Sequence, residues 1–133
     1  MLLRIALLWA AAVLSLAGAE NQWAGTYAGD WASTSGMAKG DFRITLTPAA
    51  EGKWKCEVVF TMGDLEVKTA IKSLEVSESK IEVSYEFDLA NNRLLSTVTG
   101  ALAGSKLEGK YQTKSVPEGA PVDEGIWKAV SKK

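Results

Sequence analysis

Gly25-Thr26-Tyr27-Ala28-Gly29-Asp30-Trp31 places a glycine two residues before an aromatic, then does so again four residues on. The spacing recurs at Gly40-Asp41-Phe42, Gly52-Lys53-Trp54, Gly109-Lys110-Tyr111 and Gly125-Ile126-Trp127. With 12 glycines and aromatics at 8% of the chain, about one such pair would arise by chance. Residues two apart share a face of a β-strand. A glycine lets that strand coil and leaves a gap that an aromatic from the next strand can cover. Repeated through a small protein, the pattern predicts a strongly curled sheet that closes on itself.

Working outward, the middle of the chain alternates with period two. Phe42, Ile44 and Leu46 alternate with Asp41, Arg43 and Thr45. Trp54, Cys56, Val58 and Phe60 alternate with Lys55 and Glu57, and Leu65, Val67, Thr69 and Ile71 with Glu66, Lys68 and Lys72. Ile81, Val83, Tyr85 and Phe87 alternate with Glu82, Ser84, Glu86 and Asp88. One apolar and one charged face mark half-buried antiparallel strands. Eight such segments are predicted, at roughly 22–33, 38–47, 53–61, 65–76, 80–88, 93–102, 106–113 and 124–131. Turn chemistry separates them at Ser35-Gly36, Pro48 to Gly52, Gly63-Asp64, Ser77 to Ser79, Asn91-Asn92, Gly104-Ser105 and Val116 to Gly125. Short turns make sequence neighbours spatial neighbours. The expectation is an all-β fold: an eight-stranded antiparallel up-and-down barrel, closed between the strands of Tyr27 and Trp127, with almost no helix. Closure removes the exposed edges of a flat meander.

The N-terminus has the composition of a leader. Arg4 supplies one positive charge, Ile5 to Leu16 is apolar, and Ala17-Gly18-Ala19 ends the run with small residues. This predicts a signal peptide over 1–19, cleaved after Ala19, and a single barrel domain over 20–133. The protein is then exported, to the periplasm or the extracellular space. The apolar run is short for a membrane span. Leu16-Ala17-Gly18 resembles the start of a bacterial lipoprotein cleavage site, but Ala19 stands where that motif needs Cys.

Net charge is −1, with signs interspersed, which gives no long-range attraction to nucleic acid or anionic membrane. Lys55, Glu57, Lys68, Lys72, Glu82 and Glu86 occupy the outward set, so the mature chain is not expected to insert in lipid as a barrel. The single cysteine, Cys56, allows no internal disulfide and shares parity with the apolar set of its strand, as a small buried hydrophobe would. The chain has no histidine, which removes the Ser-His-Asp triad, the Cys-His pair and nearly all zinc sites. Glu82 with Glu86 reads as a solvated outer pair, and Asp123 with Glu124 as turn charges. The reading therefore contains no catalytic residue, no metal site and no cofactor, and no enzyme is expected.

Gly29-Asp30-Trp31 on the first strand of an exported eight-stranded meander resembles the calycin group, the lipocalins and avidin-like proteins, whose first strand carries Gly-x-Trp. The resemblance implies a ligand-binding barrel of that architecture. The chain's size sits nearer the avidin-like end. In lipocalins a basic residue of the last strand covers the motif tryptophan; Lys128 is the candidate here, with no arginine at that place. No biotin-site pattern is present.

An eight-stranded barrel is either filled by its own side chains or holds one small ligand. Inward parity picks out Tyr27, Trp31, Trp54, Tyr85 and Tyr111 as candidate ligand-binding residues, with the tyrosine hydroxyls as polar contacts. Two functions stay open. One is an exported barrel that binds a small, largely apolar ligand. The other is a solid-core structural or protein-interaction module acting through its loops, foremost Lys114 to Glu124 with Pro117, Gly119 and Pro121.

Overall fold

The computed structural model describes residues 23–132; the leader expected at 1–19 lies outside them. Nine strands follow one another: β1 Gly25–Ser33, β2 Lys39–Pro48, β3 Trp54–Met62, β4 Leu65–Lys68, β5 Ala70–Val76, β6 Lys80–Leu89, β7 Asn92–Ala103, β8 Lys106–Ser115 and β9 Pro121–Ser131. They form one antiparallel sheet in the order β4-β3-β2-β1-β9-β8-β7-β6-β5. The first and last strands pair as expected, with Trp31 opposite Trp127 and Tyr27 opposite Ser131.

The count of eight is corrected to nine at Thr69. The segment predicted as one strand over 65–76 changes partner there. Its first part pairs with β3, placing Val67 opposite Phe60, and its second part pairs with β6, placing Leu74 opposite Val83. Thr69 donates its hydroxyl to the Val58 carbonyl at 2.7 Å, which anchors the corner on β3. The two ends of the sheet are thus consecutive in the chain, and the barrel is nearly closed. A bulge between Ile71 and Ser73 then shifts the parity, so that Leu74 and Val76 join Ile71 against the core. A 3-10 turn at Ala50–Gly52 links β2 to β3.

The glycine motifs interlock in pairs. On β1 and β2, Gly29 faces Phe42 and Trp31 faces Gly40. On β8 and β9, Gly109 faces Trp127 and Tyr111 faces Gly125. In each pair the two motifs run antiparallel, and one aromatic of each pair covers the partner's glycine, Trp31 over Gly40 and Tyr111 over Gly125, while Trp127 reaches on to cover Gly100 of β7. The space is needed: a Cβ on Gly40 would lie 2.9 Å from Trp31 Nε1, and one on Gly125 2.7 Å from Tyr111 Oη. These are the covered gaps that the sequence spacing implies, and they let the sheet curl.

The interior divides into two halves. Ile44, Leu46, Val83 and Leu107 are wholly buried and fill one end. Trp23 stops that end: it is 1% exposed, and its indole donates to the Ser77 carbonyl at 2.7 Å. Tyr27 lies beside it and donates its hydroxyl to the Trp23 carbonyl at 3.1 Å. The other end, bounded by the turns after β1, β3, β6 and β8, is not filled.

Candidate functional site

A cavity of about 270 Å³ occupies the unfilled half and opens between the β1–β2 turn and the start of β9. Its walls are aromatic. Trp31 meets Tyr111 edge to face at 5.8 Å and Phe60 at 6.0 Å; Phe60 in turn meets Phe87 at 5.0 Å. Tyr85 lies 6.1 Å from Phe87, and Phe42 lies 5.0 Å from Trp127 on the opposite side. These rings come from six strands, β1, β2, β3, β6, β8 and β9, all at inward positions. Met37 and Val122 stand at the mouth, 90% and 54% exposed.

The two indole nitrogens of the wall are already engaged. Trp31 lies across Gly40 and donates to the Thr61 carbonyl at 2.9 Å, two strands away. Trp127 lies across β8, where Gly109 faces it, and donates to the Thr99 carbonyl on β7 at 3.1 Å. Both rings therefore present carbon surface to the cavity from fixed positions.

Polar groups reach the cavity at two depths. Deep inside, Ser96 and Thr113 share a 2.5 Å hydroxyl hydrogen bond, and Tyr85 faces Ser96 across the β6–β7 ladder. Burial pushes the Tyr85 phenol well above its ordinary range, against the opposing effect of the Ser96 hydroxyl. At the mouth, Asp123 Oδ1 accepts from Ser33 Oγ at 2.6 Å and Oδ2 accepts from Tyr111 Oη at 2.9 Å. Burial, with the adjacent Asp123 carboxylate, holds the Tyr111 phenol well up and protonated. Ser35 Oγ lies 2.9 Å from Ser33 Oγ. Among the described residues no buried side-chain nitrogen or oxygen lacks a partner, and no cluster suits a metal ion.

Of the five residues singled out from sequence, the structure brings Trp31, Tyr85 and Tyr111 together around the cavity. Tyr27 and Trp54 are not part of the lining. Tyr27 belongs to the filled end, and Trp54 lies half-buried at the start of β3, opposite Pro48. Both share inward parity with their strands; parity gives the face but not the depth along the barrel. Lys128 does not cover Trp31, because the register sets it opposite Asp30 on the exposed face and gives Trp31 to Trp127.

Asp123, Ser33 and Trp127 were not singled out. Asp123 counts as a turn charge only if β9 begins at 124. The strand begins at Pro121 instead, with a bulge in its pairing between Thr113 and Lys114. Asp123 shares parity with Gly125, Trp127 and Ala129, and that alternation was the available signal. The same correction shortens the expected Lys114–Glu124 loop to residues 116–120. It is pinned by Ser115 N donating to the Ala120 carbonyl and Gly119 N donating to the Ser115 carbonyl.

No protein-family model matches the chain, and no curated protein matches it in sequence. Among solved structures, it superposes on one described as EF1p2_mFAP2b bound to DFHBI, with a TM-score of 0.64. The two are 10% identical over 86% of this chain and 97% of that one. At that identity the likeness speaks for the barrel fold alone.

Proposed function

We propose that the protein is an exported binding protein that holds one small, largely apolar ligand in the open half of its barrel. The carrying observation is that the core is filled at one end and empty at the other. A barrel serving only as a scaffold gains by packing throughout, since each void forfeits contacts. Here the filled end reaches complete burial while an aromatic-walled space of about 270 Å³ is left beside it. That volume lies near the lower bound of ligand sites and suits a molecule of one or two rings. Trp31, Tyr85 and Tyr111 contact the ligand in this reading, together with Phe60, Phe87 and Trp127. The similar barrel described as bound to DFHBI lends support, as a related fold with a small molecule.

The reading includes no chemical step. The polar groups of the lining are hydroxyls and one carboxylate, and the phenols are held protonated. The role is capture and carriage outside the cytoplasm, with no nucleic-acid partner. The loop-based interaction module is less favoured, because its leading loop is short and internally hydrogen-bonded.

Mature protein purified from its own host is examined by native mass spectrometry and then titrated, after extraction, with 2-naphthol. Binding of one equivalent is expected, lost in Leu94→Trp, which fills the cavity from its wall. Equal binding by wild type and Leu94→Trp would overturn the reading.

A further inference from the structure

The lining of the cavity carries a single formally charged side chain, Asp123, and no lysine, arginine or glutamate. The hydrogen bonds around it run one way. Ser33 and Tyr111 each donate a hydrogen bond to it, one to each oxygen. Ser33, having donated to Asp123, accepts from Ser35 Oγ and from the Ser35 amide at 3.4 Å. A carboxylate offers about four acceptor positions, so two are used by the protein and about two remain. Deeper in, the Ser96 and Thr113 hydroxyls hydrogen-bond each other, and Ser96 also engages the Tyr85 phenol. At the mouth the unused hydrogen-bonding capacity is therefore the acceptor capacity of Asp123, in the wall that also holds Trp31 and Tyr111.

We propose that the ligand is a flat aromatic molecule bearing a hydrogen-bond donor at one end, an ammonium or a hydroxyl, which Asp123 accepts while the ring lies between Trp31, Phe60 and Trp127. This rests on the ligand-binding reading above and adds to it the chemistry of the head group. A donor there forms a charge-assisted hydrogen bond, the stronger kind. A cationic head also meets the electron-rich faces of the aromatic wall. A ligand carboxylate would face Asp123 with no cation to offset it. Fatty acids and aromatic acids are thus excluded by charge although they fit by shape, a selection made by repulsion as well as attraction.

The test uses four probes with one two-ring body: 2-naphthylmethylamine, 2-naphthol, 2-methoxynaphthalene and 2-naphthoate. Their affinities for the full-length mature protein are measured by calorimetry at pH 7, with Asp123→Asn and Tyr111→Phe in parallel. The amine and the naphthol are expected to bind at least tenfold more tightly than the methoxy compound, and the naphthoate most weakly. In Asp123→Asn the amine loses tenfold or more, the naphthoate gains, and the methoxy compound is unchanged. The methoxy value thus reports an intact cavity in the variant. Tyr111→Phe keeps the carboxylate and keeps the preference for the amine over the naphthoate. Equal binding of all four by wild type, or tightest binding of the naphthoate, overturns the donor assignment and leaves the ligand-binding reading standing. Binding of none of the four overturns both.

Discussion

Trp31 and Trp127 stand opposite one another on the paired strands β1 and β9, and their indoles reach in opposite directions. Trp31 crosses Gly40 to a carbonyl on β3, and Trp127 crosses β8 to a carbonyl on β7. Each ring braces a strand two places away. The seam where the chain's two ends meet is thus tied into six consecutive strands of the sheet, and the cavity wall is built from the same rings. Fold and site share these residues, so their substitutions should separate by depth and by packing in definite ways.

The glycines of these motifs that lie against neighbouring backbone should resist any side chain. At Gly109 an added Cβ would run into the Thr99 carbonyl, and at Gly40 into the Thr61 carbonyl. Backbone cannot yield as a side chain can, so Gly109→Ala and Gly40→Ala should each lose about 1–3 kcal/mol or more, the usual cost of overpacking. Urea melts read this directly. Values within about 0.5 kcal/mol of wild type would contradict the interlocked packing.

Trp23 and Trp54 should differ sharply. Trp23 is wholly buried and hydrogen-bonded, so Trp23→Ala should cost about 3–5 kcal/mol. Trp54 is only half-buried, and Trp54→Ala should cost clearly less. Neither lines the cavity, so both variants should keep the naphthol affinity where folded. Loss of binding in Trp54→Ala with an unchanged melt would place the site elsewhere.

Stability should fall in alkali. Burial, helped by Glu57, pushes the Cys56 thiol from 9.0 up to about 12, and burial raises the Tyr85 and Tyr111 phenols above 10.0. Each group is an acid that the folded state keeps protonated while the unfolded chain ionises it. The unfolded state then binds fewer protons, so stability declines with rising pH. The contribution is whole below pH 9, shrinks first through the thiol and then through the phenols, and is gone above the folded values. Thermal melts from pH 8 to 12 should show Tm falling from about pH 9. Cys56→Ala should delay the onset to about pH 10, where the tyrosines begin. A flat profile across that range would contradict the burial of these groups.

Much of the barrel was legible in the sequence because its causes are local. Alternation along Ile81 to Phe87 gives a strand and its inward face, and turn residues such as Gly63-Asp64 give the hairpins. The join of first and last strands followed from the need to close a meander. The split at Thr69 was not legible, since Leu65, Val67, Thr69 and Ile71 alternate without a break. Which neighbour each half pairs with is set by the curvature of the whole sheet. Likewise Tyr27 and Tyr85 have the same parity signature, yet one seals the filled end and the other lines the cavity. Asp123 was hidden by proximity to Pro121, which suggested a turn where a bulged strand begins.

The central claim is that a small aromatic molecule enters the open half of the barrel and nowhere else. A titration of the isotope-labelled protein with 2-naphthol, followed through the tryptophan indole N–H resonances, tests it most directly. Trp31 and Trp127 line the cavity, whereas Trp23 and Trp54 do not. The account predicts saturable shifts of the Trp31 and Trp127 indole signals with those of Trp23 and Trp54 unmoved. Unmoved Trp31 and Trp127 signals at saturating naphthol, or shifts confined to Trp23 and Trp54, would contradict it.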